Sequence, residues 1–101
     1  MKTILIIEDE EILRQSILTV LESEAYEVFS ASGGLEALKI LVKIKPALII
    51  TDIIIEDTDG FDIIMYVKKQ MADTRIIAIS GGSSIGPERY LDTSKYLLAY
   101  I

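Results

Sequence analysis

The chain has 101 residues, half of them hydrophobic, with 16 acids against 10 bases, a formal net charge of −6, and neither cysteine nor histidine. This bounds it to one domain with a modest core and excludes disulfides, thiolate metal sites and imidazole chemistry. The absence of clustered Lys and Arg argues against direct nucleic-acid binding, which rests on such clusters.

The apolar runs fall far short of the roughly 18 to 20 residues that cross a bilayer. At the N-terminus, MKTILIIEDEE, acids arrive after only four apolar residues, too soon for a secretory signal. No membrane contact is expected, and the compartment is read as cytoplasmic, in keeping with the lack of cysteine.

Short β-branched runs alternate with segments of helical period, the pattern of βα units around a parallel sheet. TILII at 3–7 reads as the first strand, followed by a helix over 10–24 with Leu13, Ile17, Val20 and Leu21 on one face. YEVFS at 26–30 reads as the second strand. Ser32 suits the N-cap of a helix bearing Leu35, Leu38 and Leu41, with Lys43 and Lys45 matching its C-terminal dipole and Pro46 as its stop. Residues 47–52 form a third strand, apolar enough for burial on both faces. Asp59 then caps a helix with Phe61, Ile64 and Met65 inward and Lys68 and Lys69 at its end. RIIAIS at 75–80 reads as the fourth strand, and Pro87 opens a last helix carrying Tyr90, Ser94, Leu97, Leu98 and Ile101 on one stripe. The chain has no internal repeat, linker or low-complexity tract.

In open α/β sheets, ligands bind beyond the carboxyl ends of the strands, where the strand order reverses. Here the first strand runs into Glu8 and Asp9, the third ends in Asp52 and the fourth in Ser80. Right-handed crossovers bring these residues to one rim. Three carboxylates placed together repel unless one keeps a proton or a cation neutralises them. With oxygen ligands only, Mg²⁺ is the natural cation. Taken singly, each residue has an ordinary structural use. The acids at 8–11 suit a helix N-terminus, where each contributes about 0.3 to 1 kcal/mol; Asp52 suits a turn or cap, Ser80 a strand end, and Gly81 and Gly82 a turn. It is their joint placement that favours a site.

Four stretches, ILIIEDE at 4–10, GGLEAL at 33–38, PALIITDIIIEDTDGF at 46–61 and IIAISGG at 76–82, together resemble the receiver domain of two-component response regulators over essentially the whole chain. The resemblance implies a flavodoxin-like (CheY-like) α/β fold, a doubly wound parallel sheet of strand order 2-1-3-4. It also implies a phosphoacceptor at Asp52, a direct Mg²⁺ ligand at Asp9 and a water-mediated one at Glu8. Asp52 and the backbone carbonyl of Ile54 complete the metal set, Ser80 is the switch hydroxyl that hydrogen-bonds the phosphoryl group, and Gly81 and Gly82 leave room for phosphate. The implied partner is a sensor histidine kinase or phosphotransfer protein. The implied activity is that of a phosphoacceptor with at most self-phosphorylation and slow self-dephosphorylation, rather than an enzyme.

Two departures stand against the family pattern. Glu56 occupies the position four residues past the acceptor, where receivers usually carry proline. The fifth βα unit, with its lysine, is absent, so residues 1–101 read as a C-terminally truncated receiver; Lys95, inside a helix, does not replace that lysine. The resulting expectation is a homo-oligomer formed through the exposed fourth-strand edge and the helix face of Leu13, Ile17 and Leu21. A competing reading is a phosphorylation-impaired interaction module. DTDG at 57–60 also resembles the aspartyl motif of haloacid-dehalogenase-like phosphatases, but Glu56 separates it from the apolar strand and the rest of that larger fold is missing. An EF-hand reading fails because Ile55 occupies the first ligand position.

Overall fold

A computed structural model describes residues 2–52 and 60–79. In chain order the elements are β1 (Thr3–Ile7), α1 (Glu11–Ser23), β2 (Glu27–Ala31), α2 (Gly34–Leu41), β3 (Leu48–Asp52), α3 (Gly60–Gln70) and β4 (Arg75–Ile79). The strands form one parallel sheet, as the residue pattern predicts, in the order β2-β1-β3-β4 that the resemblance implies. The register runs Thr3↔Glu27 to Ile7↔Ala31 between β1 and β2, Ile4↔Leu48 to Ile7↔Thr51 between β1 and β3, and Leu48↔Arg75 to Asp52↔Ile79 between β3 and β4. The expected last helix and its stripe lie outside the described residues. Among the described residues, no helix is long and apolar enough to cross a membrane.

β1 is central, and from Ile4 to Ile7 it is buried on both faces, which explains its unbroken apolar sequence. Among the described residues the main buried cluster lies on one face of the sheet. Leu5, Ile7, Ile49 and Ile76 pack with Ala37 and Leu41 of α2 and with Ile63, Ile64 and Val67 of α3. On the other face α1 lies over β2 and β1 and contributes no fully buried residue.

Helix faces differ from expectation in detail. Leu13, Ile17 and Leu21 are half-buried as predicted, but Val20 is 61% exposed, and Leu18 takes the place beside them. A helix resting mainly on two strands covers a narrow stripe, and residue 20 falls on its flank. In α2 the buried positions are Gly34, Ala37 and Leu41 with Leu38 partly covered, while Leu35 is 59% exposed. Small residues at 34 and 37 let the helix sit close to its neighbours, and Leu35, about 100° round from Gly34, faces away. In α3, Ile64 is inward as expected, but Met65 is 57% exposed; the buried stripe is Ile63, Ile64 and Val67, continued by Met71.

The helix ends also depart from the sequence reading. Gly33, not Ser32, is the N-cap of α2. Ser32 sits one residue earlier, and its backbone N–H and hydroxyl both donate to Glu36 Oε1, at 2.8 and 3.0 Å, which holds the Glu36 carboxyl below its usual range. α2 stops at Leu41, well before Pro46, with Lys39 as the base in its last turn. Lys68 and Lys69 do occupy the last turn of α3; Asp59, its expected cap, lies outside the described residues, as does the side chain of Phe61. α1 closes through Ala25, whose φ of 70° is left-handed. The Ala25 N–H donates to the Glu22 carbonyl at 3.0 Å and the Tyr26 N–H to that of Leu21 at 3.3 Å, the paired bonds of a Schellman ending. Alanine there costs about 1 kcal/mol relative to the glycine usually found.

Candidate functional site

The sheet order reverses between β1 and β3, because β1 leads to β2 on one side and β3 lies on its other side. At that switch point the two strands end together: Ile7 is level with Thr51, so Glu8 follows one strand where Asp52 closes the other. The carboxylates of Glu8, Asp9 and Asp52 each offer an oxygen within 4.8 Å of the others. The structure therefore brings together the three acids that the sequence assigned to one rim. Glu8 is 1% and Asp52 2% exposed, while Asp9 is exposed. The remaining expected site positions, Ile54, Ser80, Gly81 and Gly82, lie outside the described residues; β4 is described up to Ile79, which is in register with Asp52.

Glu8 is held at several atoms. Its N–H donates to the Ala31 carbonyl at 3.0 Å, extending the β1–β2 ladder. Its Oε2 accepts from the Glu10 N–H at 3.0 Å. Its Oε1 is buried with no hydrogen-bond partner. Burial pushes the Glu8 carboxyl up from 4.5 to about 7; the Glu10 N–H opposes the rise, and the neighbouring charges of Asp52 and Asp9 add to it. A buried, unpartnered carboxylate oxygen beside two more acids is costly as it stands. A cation satisfies that oxygen and the repulsion at once. The donor set is oxygen only, which suits a hard divalent ion rather than a soft one, so the residues present fit a metal such as Mg²⁺.

One contributor escaped the sequence reading. Arg14, half-buried in the first turn of α1, donates from Nη1 to the Glu8 backbone carbonyl at 2.9 Å. The signal that could have found it is a base in an N-terminal helical turn, where the dipole disfavours one. Thr51, fully buried, donates its hydroxyl to the Asp52 carbonyl at 2.9 Å and steadies the end of β3. A cavity of about 720 Å³ opens at the opposite end of the sheet, lined by residues including Lys2, Lys45, Pro46, Met71 and Thr74. Its threonine hydroxyls are already committed, Thr74 to the Pro46 carbonyl at 2.8 Å and Thr3 to Glu27 Oε1 at 3.0 Å, and it holds none of the clustered acids.

Comparison with known proteins agrees with this geometry. A family model for the response regulator receiver domain matches residues 4–89. The chain is 34% identical over 77 residues to sporulation initiation phosphotransferase F of Bacillus subtilis, covering 76% of this chain and 62% of that protein. Among solved structures it is similar to the response regulator TrrA of Thermotoga maritima, determined in complex with Mg²⁺–BeF, with a TM-score of 0.76 and 29% identity over 98% of this chain and 83% of that one. The chemotaxis response regulator CheY4 of Vibrio cholerae superposes with a TM-score of 0.77 and 27% identity, covering 94% of this chain and 79% of that one. The chain spans between 9 and 62% of the length of the first curated relatives it matches. The parallel sheet of order β2-β1-β3-β4 and the match over residues 4–89 lead to one assignment: the chain belongs to the response regulator receiver domain family.

Proposed function

We propose that this receiver accepts a phosphoryl group on Asp52, with Mg²⁺ held by Glu8, Asp9 and Asp52, and so switches a downstream output in a cytoplasmic phosphorelay. The observation that carries the reading is the acidic cluster at the switch point, with one buried oxygen of Glu8 left without a partner. When bound, the cation supplies positive charge that offsets the acids and the phosphoryl oxygens. Asp52 supplies the nucleophile: a carboxylate oxygen forms the new O–P bond as the bond between phosphorus and the donor breaks, and that electron pair leaves with the donor. Glu8, pinned through its N–H, carbonyl and Oε2, holds its remaining oxygen for a water bound to the metal. The Ile54 carbonyl is proposed as a further metal ligand, Ser80 as the hydroxyl that bonds the phosphoryl group, and Gly81 and Gly82 as the space beside it.

The donor is a sensor histidine kinase or a phosphotransfer protein, and the chain acts as a stoichiometric acceptor rather than a turnover enzyme. Incubation with acetyl phosphate and Mg²⁺ should raise the intact mass by one phosphoryl group in the parent and not in Asp52→Asn. Labelling that persists in Asp52→Asn would sink the assignment. Mg²⁺ alone should shift the amide signals of residues 8, 9 and 52 first.

A second copy of the chain is proposed as a further partner. The expected face of Leu13, Ile17 and Leu21 is half-buried, on a helix with no fully buried residue, and an apolar stripe left partly open favours association. Sedimentation equilibrium should show a dimer or larger species; a monomer at high micromolar concentration would overturn this.

A further inference from the structure

Arg14 is the fourth residue of α1, and its backbone N–H donates to the Glu10 carbonyl at 2.9 Å. A cation in that turn works against the helix dipole, so its guanidinium needs a local acceptor. The acceptor is the Glu8 carbonyl, 2.9 Å from Nη1. That carbonyl belongs to the peptide linking Glu8 to Asp9, the first two of the three acids between β1 and α1. Glu8 is anchored independently, through its N–H to Ala31 and its Oε2 to Glu10. Asp9 is exposed, and its direction depends on the peptide planes on either side of it.

We propose that Arg14 is a positioning residue for the cation site: by holding the Glu8–Asp9 peptide, it keeps the Asp9 carboxylate beside those of Glu8 and Asp52 without touching the cation itself. The inference rests on the reading of those three acids as a Mg²⁺ site. Its sign is opposite to what charge alone would give. A guanidinium near an acidic cluster lowers the local negative potential, so removing it should tighten cation binding if charge were its whole effect. If the hydrogen bond to the peptide is what matters, removal frees the loop and weakens binding.

Arg14→Met keeps most of the apolar stem and removes every donor; Arg14→Lys keeps the charge and a single donor group. The Mg²⁺ dissociation constant, read from amide shifts at residues 9 and 52, should rise about tenfold in Arg14→Met, the scale of lost support behind a metal ligand. Arg14→Lys should recover part of that loss. In the metal-free proteins, hydrogen exchange at the amides of Asp9 and Glu10 should be faster in Arg14→Met than in the parent. Mg²⁺ binding that is unchanged or tighter in Arg14→Met overturns the positioning role and leaves the Mg²⁺ reading intact. A parent with no Mg²⁺ response overturns both. If Arg14→Met does not fold, Arg14→Lys decides: parent-like affinity together with faster exchange at residues 9 and 10 overturns the proposal.

Discussion

Replacing Glu8 by Gln should make the metal-free chain more stable at pH 8 and at the same time strip it of most of its affinity for Mg²⁺. The Glu8 carboxyl titrates near 7 in the fold against 4.5 as its ordinary value, so between those values the folded state binds more protons than the unfolded one. The stabilising contribution of this group is therefore complete below about pH 4.5 and is lost as pH rises through about 7. Above that the buried, ionised carboxylate opposes folding by an amount on the order of 3 kcal/mol. Glutamine keeps the shape and an oxygen for the Glu10 N–H, carries no charge to desolvate, and brings amide hydrogens to the neighbouring acids. In urea denaturation without metal, Glu8→Gln should exceed the parent by about 2 kcal/mol at pH 8 and by little at pH 5. Saturating Mg²⁺ should reverse the order, because a ligand that binds only the folded state stabilises it in proportion to its affinity. Mg²⁺ affinity of the parent should also rise with pH up to about 7, as the metal displaces the Glu8 proton. Equal stability of the two proteins at pH 8, or equal gains from Mg²⁺, would show that Glu8 is not the strained acid of the cluster.

The parts of the molecule that were legible in the sequence are those set by strand ends. β1 matches its reading residue for residue, the other strands shift by at most one position over the described residues, and a parallel sheet then forces the residues after β1 and at the end of β3 to one rim. Glu8, Asp9 and Asp52 could be found that way because their type and position suffice. Helix faces were less legible. Val20, Leu35 and Met65 are apolar and at plausible spacing, yet all are more than half exposed, because each helix carries more apolar residues than its neighbours can cover. Which stripe turns inward depends on those neighbours, and no local pattern encodes them. The cap of α2 was misplaced by one residue because Ser32 has the better capping side chain, while Gly33 has the extended backbone at the cap and Ser32 bonds Glu36 instead. Arg14 stayed hidden because its partner is a backbone carbonyl six residues earlier, and a carbonyl has no residue type to recognise.

Ile49 and Ile50 offer the largest expected contrast in stability between adjacent positions. They share a strand, a residue type and parallel pairing, with Leu5 and Ile6 as their respective partners, so truncating either to alanine forfeits the same β-propensity. Their surroundings differ. Ile49 is 0% exposed and packs in the cluster that joins the sheet to α2 and α3, whereas Ile50 is half-buried on the other face. Ile49→Ala should cost about 3 to 4 kcal/mol, through lost transfer free energy and a cavity that rigid neighbours do not refill, and Ile50→Ala about 1 to 2. For a domain of this size the first loss is a large share of a total of about 5 to 15 kcal/mol. It also falls on the strand that carries Asp52 three residues later. Ile49→Ala should thus lose the proposed phosphoacceptor capacity on mild warming through a fall in the folded fraction, while Ile50→Ala keeps it. Urea midpoints with unchanged slopes give the comparison directly. Equal costs at the two positions would mean that the α1 face is packed as tightly as the α2–α3 face.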